Sequence, residues 1–175
     1  MKQVVIENPI INSPFHEPMR HFRFTDEGIT NDIVENERRV SSYFIPIAKP
    51  RKKGKNQLSF ETEWTEDRIE ENKFINQVRE RVAIWRKAGY PSPTISKTTK
   101  QLLDYWQRED RTRKLFFCQI EAVETAIYIS EVAKKYGDAW IENRIHAANA
   151  EANPLLYRIA LKMATGSGKT VVMAM

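Results

Sequence analysis

The sequence predicts an α/β chain in two parts. A short irregular or β N-terminal segment leads into a mostly helical accessory region, and the opening of a phosphate-loop domain, truncated soon after it begins, follows. Three observations predict it. Gly166-Ser167-Gly168-Lys169-Thr170 follows an apolar stretch and precedes Val171–Met175, the strand–loop–helix context such a loop requires. Residues 65–107 carry apolar side chains at helical spacing. Residues 1 to about 60 lack that spacing and hold Pro9, Pro14, Pro18, Pro46 and Pro50, so they must run as short strands and turns.

Taken in order, Val4-Val5-Ile6 and Tyr43-Phe44-Ile45-Pro46-Ile47 are the best strand candidates of the first segment. Between them Arg20-His21-Phe22-Arg23-Phe24 interleaves basic and aromatic residues, with Arg38-Arg39 beyond. That mixture can stack bases and hold phosphates. It also suits an edge strand with an apolar inner face and a cationic outer one. The run Lys49, Arg51, Lys52, Lys53 and Lys55 reads as a solvated loop or a DNA contact.

A strong helix is expected from Thr65, its candidate N-cap, with Glu66 and Asp67 in the first turn. Ile69, Phe74, Val78, Val82 and Trp85 form its apolar stripe, and Gly89 with Pro91 beyond stops it. The opposite face carries Glu70, Glu71, Lys73, Arg79, Glu80, Arg81 and Arg86, which reads as solvated. A second helix over 96–107 presents Leu102, Leu103 and Trp106. Arg108-Glu109-Asp110-Arg111 is then a polar break, giving a provisional division into an accessory region, 1–110, and a nucleotide-binding part, 111–175.

After the break, a helix runs to about Tyr136 with Gly137 as its stop and Ile120, Val123, Ile127 and Val132 as its stripe. Gln119 stands near its start. A glutamine amide donates and accepts at once, matching N7 and the N6 amino group of adenine. Leu155–Met163 alternates roughly apolar and polar after Pro154 and is expected as a strand. In the loop itself, Thr165, Gly166, Ser167 and Gly168 offer backbone N–H donors, and the two glycines let the backbone wrap an anion. Lys169 has the reach for the β- and γ-phosphates of ATP, and the Thr170 hydroxyl is the candidate ligand for Mg2+. The strict pattern would have Gly at Met163, which lies at the strand exit, where close approach to phosphate is not required.

Phe117-Cys118-Gln119-Ile120-Glu121-Ala122 and Met163–Thr170 together resemble the Q motif and motif I of superfamily 2 helicases. Within that group the chain most resembles the Res subunits of type III restriction enzymes and their DEAD/DEAH-box relatives. Glu7–Phe15, Arg20–Phe24 and Ser41–Pro46 are similar to the opening of restriction helicases of this kind. The resemblance implies a RecA-like fold for the nucleotide-binding part. It also implies a DNA-dependent ATPase that translocates on double-stranded DNA, with two RecA-like lobes, a following nuclease domain and a DNA methyltransferase partner. The lone Cys118, with no charged-then-apolar leader, makes a cytoplasmic, reduced protein the simplest expectation. The family's acidic motif II, arginine finger and nuclease carboxylates have no counterpart in these 175 residues. Asp138–Asn153 lengthens the separation between Gln119 and the loop and is expected as an insertion. Because Val171–Met175 carries no stop signal, the chain is expected to be the N-terminal fragment of such a protein, without ATP turnover of its own.

Composition bounds the alternatives. The chain is 41% hydrophobic and 10% aromatic, enough for a core. No run of eighteen apolar residues argues for a membrane span, and no charged-then-apolar leader for secretion. Cys118 is the only cysteine and the three histidines are scattered, which offers no metal-ligand spacing. A net charge of +5 favours a polyanionic partner. Two other classes stay open: a different P-loop NTPase, and a non-catalytic DNA- or partner-binding module with an incomplete loop.

Overall fold

The computed structural model describes residues 5–25, 28–42 and 58–175, with side chains at 5–23, 29–42 and 73–175. Within them the chain is mixed, with one two-stranded antiparallel sheet, β1 (Arg20–Thr25) and β2 (Gly28–Glu35), and five α-helices. These are α1 (Leu58–Lys87), α2 (Lys97–Trp106), α3 (Phe117–Ile127), α4 (Ala139–Ala152) and α5 (Lys169–Ala174). The chain divides into two compact units, residues 1–39 with 82–175, and residues 40–81. In the smaller unit Ser41 is tied to α1 through Asn76, whose amide accepts from Ser41 N at 2.9 Å and donates to Ser41 O at 3.2 Å.

The basic-aromatic stretch forms the edge strand β1, paired with β2 through Arg20↔Glu35, His21↔Val34 and Phe22↔Ile33, with an irregularity between Phe22 and Phe24. An isolated two-stranded hairpin is marginal in water. Here Asn12 clamps its open end, donating to Arg20 O at 2.8 Å and accepting from the backbone N–H of Met19 and Arg20. Val5 and Ile6, expected in a strand, lie in irregular chain, while Tyr43–Ile47 and Lys49–Lys55 fall outside the described residues.

The helices follow their sequence signals at the stops better than at the starts. Gly89 and Gly137 take left-handed backbone at φ +74° and +79° and end the expected helices. Ser96 caps α2, its Oγ accepting from Thr99 N at 3.1 Å, and Glu131 reinforces that end from another element by accepting from Ser96 N and Thr99 Oγ1. The first helix begins at Leu58 rather than Thr65. The third does not run evenly to Tyr136. It is α-helical to Ile127, then a π-turn over Tyr128–Val132 and a 3-10 turn over Ala133–Tyr136. Ser130 Oγ donates back to Ala126 O and Ile127 O at this transition, the kind of intrusion that loosens a helical ladder.

In the larger unit, Val82, Trp85, Leu103, Tyr128, Val132 and Ile141 are the largest fully buried apolar side chains. Each aliphatic member contributes about 1.5–3 kcal/mol on removal from water. Trp85 is the hub, with Tyr90 and Tyr128 edge-on at 4.8 and 5.7 Å between ring centroids. The stretch from Asp138 to Asn153 forms α4, started by Asp138, whose carboxylate accepts from Tyr128 Oη at 2.6 Å and Trp140 Nε1 at 3.0 Å.

Residues 155–163 form no strand. A strand needs a neighbour to take its backbone groups. The side chain of Asn149 supplies one residue's worth of pairing, donating to Arg158 O at 2.9 Å and accepting from Arg158 N at 3.1 Å. Leu155 and Leu156 are exposed, and Tyr157 stacks against His146 at 4.5 Å.

Candidate nucleotide site

The candidate phosphate loop owes its shape to two left-handed glycines. Gly166 and Gly168 sit at φ +79° and +76°, a region that costs an L side chain roughly 1–2 kcal/mol. Ser167 folds back between them, its Oγ donating to Ala164 O at 2.6 Å and its N–H to the same carbonyl at 3.3 Å. Gly168 is the N-cap of α5, which opens with Lys169 and Thr170. Among the described residues, the backbone N–H groups of Gly166, Gly168, Lys169 and Thr170 have no protein acceptor. Such a run of free amides at a turn is a nest for an anion.

Lys169 lies across the loop, its Nζ donating to Met163 O at 3.1 Å and Ala164 O at 2.9 Å. The residue that replaces the first glycine of the strict motif thus contributes a carbonyl. Lys169 and Thr170 are both exposed, so the ammonium and hydroxyl face the solvent from which an anion would come. Among the described residues no group of three His, Cys, Asp or Glu side chains is gathered as a metal site.

Gln119 comes to this loop from α3. It is 5% exposed, and its Nε2 donates to Ser167 O at 3.0 Å, joining two motifs 48 residues apart. Its Oε1 accepts from Phe116 N at 2.9 Å, so the glutamine also closes the first turn of its own helix, whose N-cap residue, phenylalanine, has no side-chain acceptor. A primary amide has two N–H donors and two lone pairs. One of each is used here, which leaves one donor and one acceptor on the same group. A Cβ built on Gly168 would overlap the Gln119 amide nitrogen, so any side chain there must push that amide aside in addition to bearing the strain at this φ.

Behind Gln119 lies a cluster of charges that the sequence reading missed. Arg38 holds Glu121 with both terminal nitrogens at 2.6 Å and Glu17 at 3.2 Å. Arg86 donates to Glu124 from Nε at 2.8 Å and Nη2 at 2.5 Å, and lies 3.6 Å from Glu121. Glu124 is fully buried and also accepts from the Tyr90 hydroxyl, which in turn accepts from Gln107 Nε2 at 2.8 Å. The expectation of a solvated face for Arg86 is thereby corrected. A helical position nearest the chain's own core is filled by a charge because α3 brings the opposite charge to it.

Each guanidinium also lies over the Phe117 ring, Arg38 at 5.5 Å and Arg86 at 4.9 Å. The Glu121 hydrogen bonds raise the Arg38 pKa against its partial burial. For Arg86, burial opposes the charge, but the Glu124 hydrogen bond and charge outweigh it and the pKa is raised. Burial, then the Glu124 charge, push the Tyr90 phenol above its ordinary range. The one available sequence signal was the spacing: Phe117, Glu121 and Glu124 share a helix face next to the Val123 stripe.

The other sequence candidate, the basic-aromatic strand, is neutralised in part. β2 brings Asp32 and Glu35 alongside it, and Arg20 pairs with Glu35 at 3.4 Å. No helix of the described residues is long and apolar enough to cross a membrane. In comparisons with known proteins, no family model, no curated protein and no solved structure matches the chain.

Proposed function

We propose that this chain binds ATP with Mg2+, and that it forms the ATP-binding N-terminal part of a DNA-dependent helicase or translocase of a restriction system. The observation that carries the reading is the hydrogen bond between Gln119 Nε2 and Ser167 O. It joins the candidate adenine reader to the candidate phosphate cradle. In this reading the donor and acceptor left on Gln119 take N7 and the N6 amino group of adenine. The free N–H groups of Gly166, Gly168, Lys169 and Thr170 take phosphate oxygens. Lys169 leaves the Met163 and Ala164 carbonyls for the β- and γ-phosphates, and Thr170 contributes its hydroxyl to Mg2+. Bound ATP supplies the phosphoryl group whose hydrolysis would drive translocation on double-stranded DNA, with a DNA methyltransferase as the expected partner subunit and the cytoplasm as the expected compartment.

The Gln119 contact favours this reading over other P-loop NTPases because a side chain able to read adenine touches the loop. Hydrolysis needs a metal-holding carboxylate and a group to orient the attacking water. Among the described residues no group of three His, Cys, Asp or Glu side chains is gathered as a metal site, and the sequence offers no counterpart of the family's acidic motif II. The expected behaviour of the chain is therefore binding without turnover.

Calorimetric titration with Mg·ATP tests this. Binding that is lost in Lys169→Ala, weakened in Gln119→Ala and unaccompanied by phosphate release supports the reading. Equal binding by wild type and Lys169→Ala would sink it.

A further inference from the structure

We propose that Arg38, acting through Glu121, is a positioning residue for Gln119 and so sets the base preference of the nucleotide site; the inference rests on the ATP-site reading above. Gln119 occupies the first turn of α3, and the hold it exerts on the loop depends on where that turn is fixed. Three anchors fix it. Phe117 N donates to Pro14 O at 2.8 Å, with the Phe15 and Phe116 rings 5.6 Å apart. Arg86 joins α3 to the end of α1 through Glu124. Arg38, just beyond the hairpin, grips Glu121, which lies two residues from Gln119.

The two arginines differ in what they can be doing. Glu124 is fully buried and shared with Tyr90, so the Arg86 anchor belongs to the core. The Arg38–Glu121 pair is closer to the surface, with side chains 21% and 13% exposed. Its two short parallel hydrogen bonds fix both the distance and the roll of the helix, which a single charge contact does not. The same guanidinium covers Phe117 and reaches Glu17, so one residue ties the segment around residue 17 to the turn that carries Gln119. A small roll of α3 would turn the Gln119 amide away from a base while leaving the loop's own amides where they are. Because the same roll loosens the Gln119–Ser167 bond, phosphate affinity falls slightly, but the main effect of Arg38 is on base recognition.

The test uses the full 175-residue chain and three probes, Mg·ATP, Mg·GTP and magnesium tripolyphosphate, with Arg38→Lys and Glu121→Gln as variants. Lysine keeps the charge and loses the fork; glutamine keeps the shape and loses the charge. Circular dichroism and thermal melting establish that each variant is folded. The expected result is an ATP-over-GTP preference reduced about tenfold in both variants, toward that of Gln119→Ala, with tripolyphosphate affinity falling by no more than about fivefold, the worth of the Gln119–Ser167 bond. Folded variants that keep the wild-type preference overturn the inference. So does a parallel loss for all three probes, which marks a purely structural pair. A wild-type chain that binds no ATP overturns the ATP-site reading itself, and this inference with it.

Discussion

Gly168→Ala is the most informative single substitution, because two separable costs meet at that position. The first is backbone strain: at φ +76° an L residue loses roughly 1–2 kcal/mol. The second is steric. The new methyl overlaps Gln119 Nε2, so Gln119 must swing aside and release Ser167 O, a hydrogen bond worth about 1 kcal/mol. Together these disfavour the binding-competent loop by about 2–3 kcal/mol, an apparent loss of ATP affinity of about 30- to 150-fold. Gly166→Ala is the internal reference. It sits at φ +79° with open space where its Cβ would go, so only the strain acts, and the loss should be about 5- to 30-fold. Calorimetric titration of both variants with Mg·ATP measures the difference, expected to be about fivefold. Both should melt close to wild type, since the loop is largely exposed. Equal affinities for the two variants would refute the claim that Gln119 braces the loop through Gly168.

Three further outcomes follow from the core and its charges. Glu124→Ala leaves Arg86 without its main partner in a buried setting, and should cost about 3–5 kcal/mol in urea unfolding; a loss below about 1 kcal/mol would mean the pair is not buried in solution. Tyr90 has its folded pKa raised above the unfolded value of about 10, so the stability it contributes is complete below that pH and declines as the unfolded state releases the proton above it. The decline should be visible as a falling urea midpoint above pH about 10 and should be smaller in Tyr90→Phe. Leu103→Ala should cost about 2–5 kcal/mol, whereas its neighbour Leu102→Ala, 40% exposed, should stay within about 1 kcal/mol; similar losses at both would contradict the assigned face of α2.

Local signals were legible where local chemistry decides the structure. Gly89 and Gly137 as stops, and the loop glycines 166 and 168, all adopt the conformations their residue type favours. Of the candidate site, the loop residues could be named from their motif, and Gln119 from its place ahead of that loop and its resemblance to the Q motif. Their contact could not, since it closes 48 residues of chain. The failures share a physical origin in partners. Leu155–Met163 has strand-like alternation but no neighbouring strand among the described residues, so only Asn149 pairs with it. Gly28–Glu35 mixes Asn31 and Asp32 with Ile29 and Ile33, a weak strand signal that becomes β2 because β1 offers it a ladder. Ala139–Ala152 lacks a strong stripe, yet its alanines favour helix and Ile141 supplies the buried contact. Arg86 was read from its own helix as solvated. Its partner, Glu124, is 38 residues away.

The central claim, that Gln119 and the phosphate loop form one adenine-nucleotide site, is tested most directly by two-dimensional NMR of the labelled chain titrated with Mg·ATP and, separately, with magnesium tripolyphosphate. The account expects ATP to shift the side-chain NH2 resonances of Gln119 together with the backbone amides of Gly166, Gly168, Lys169 and Thr170. Tripolyphosphate should shift the loop amides with a much smaller response at Gln119. Loop shifts of equal size with no differential response at Gln119, or no saturable shifts at either place, would contradict it.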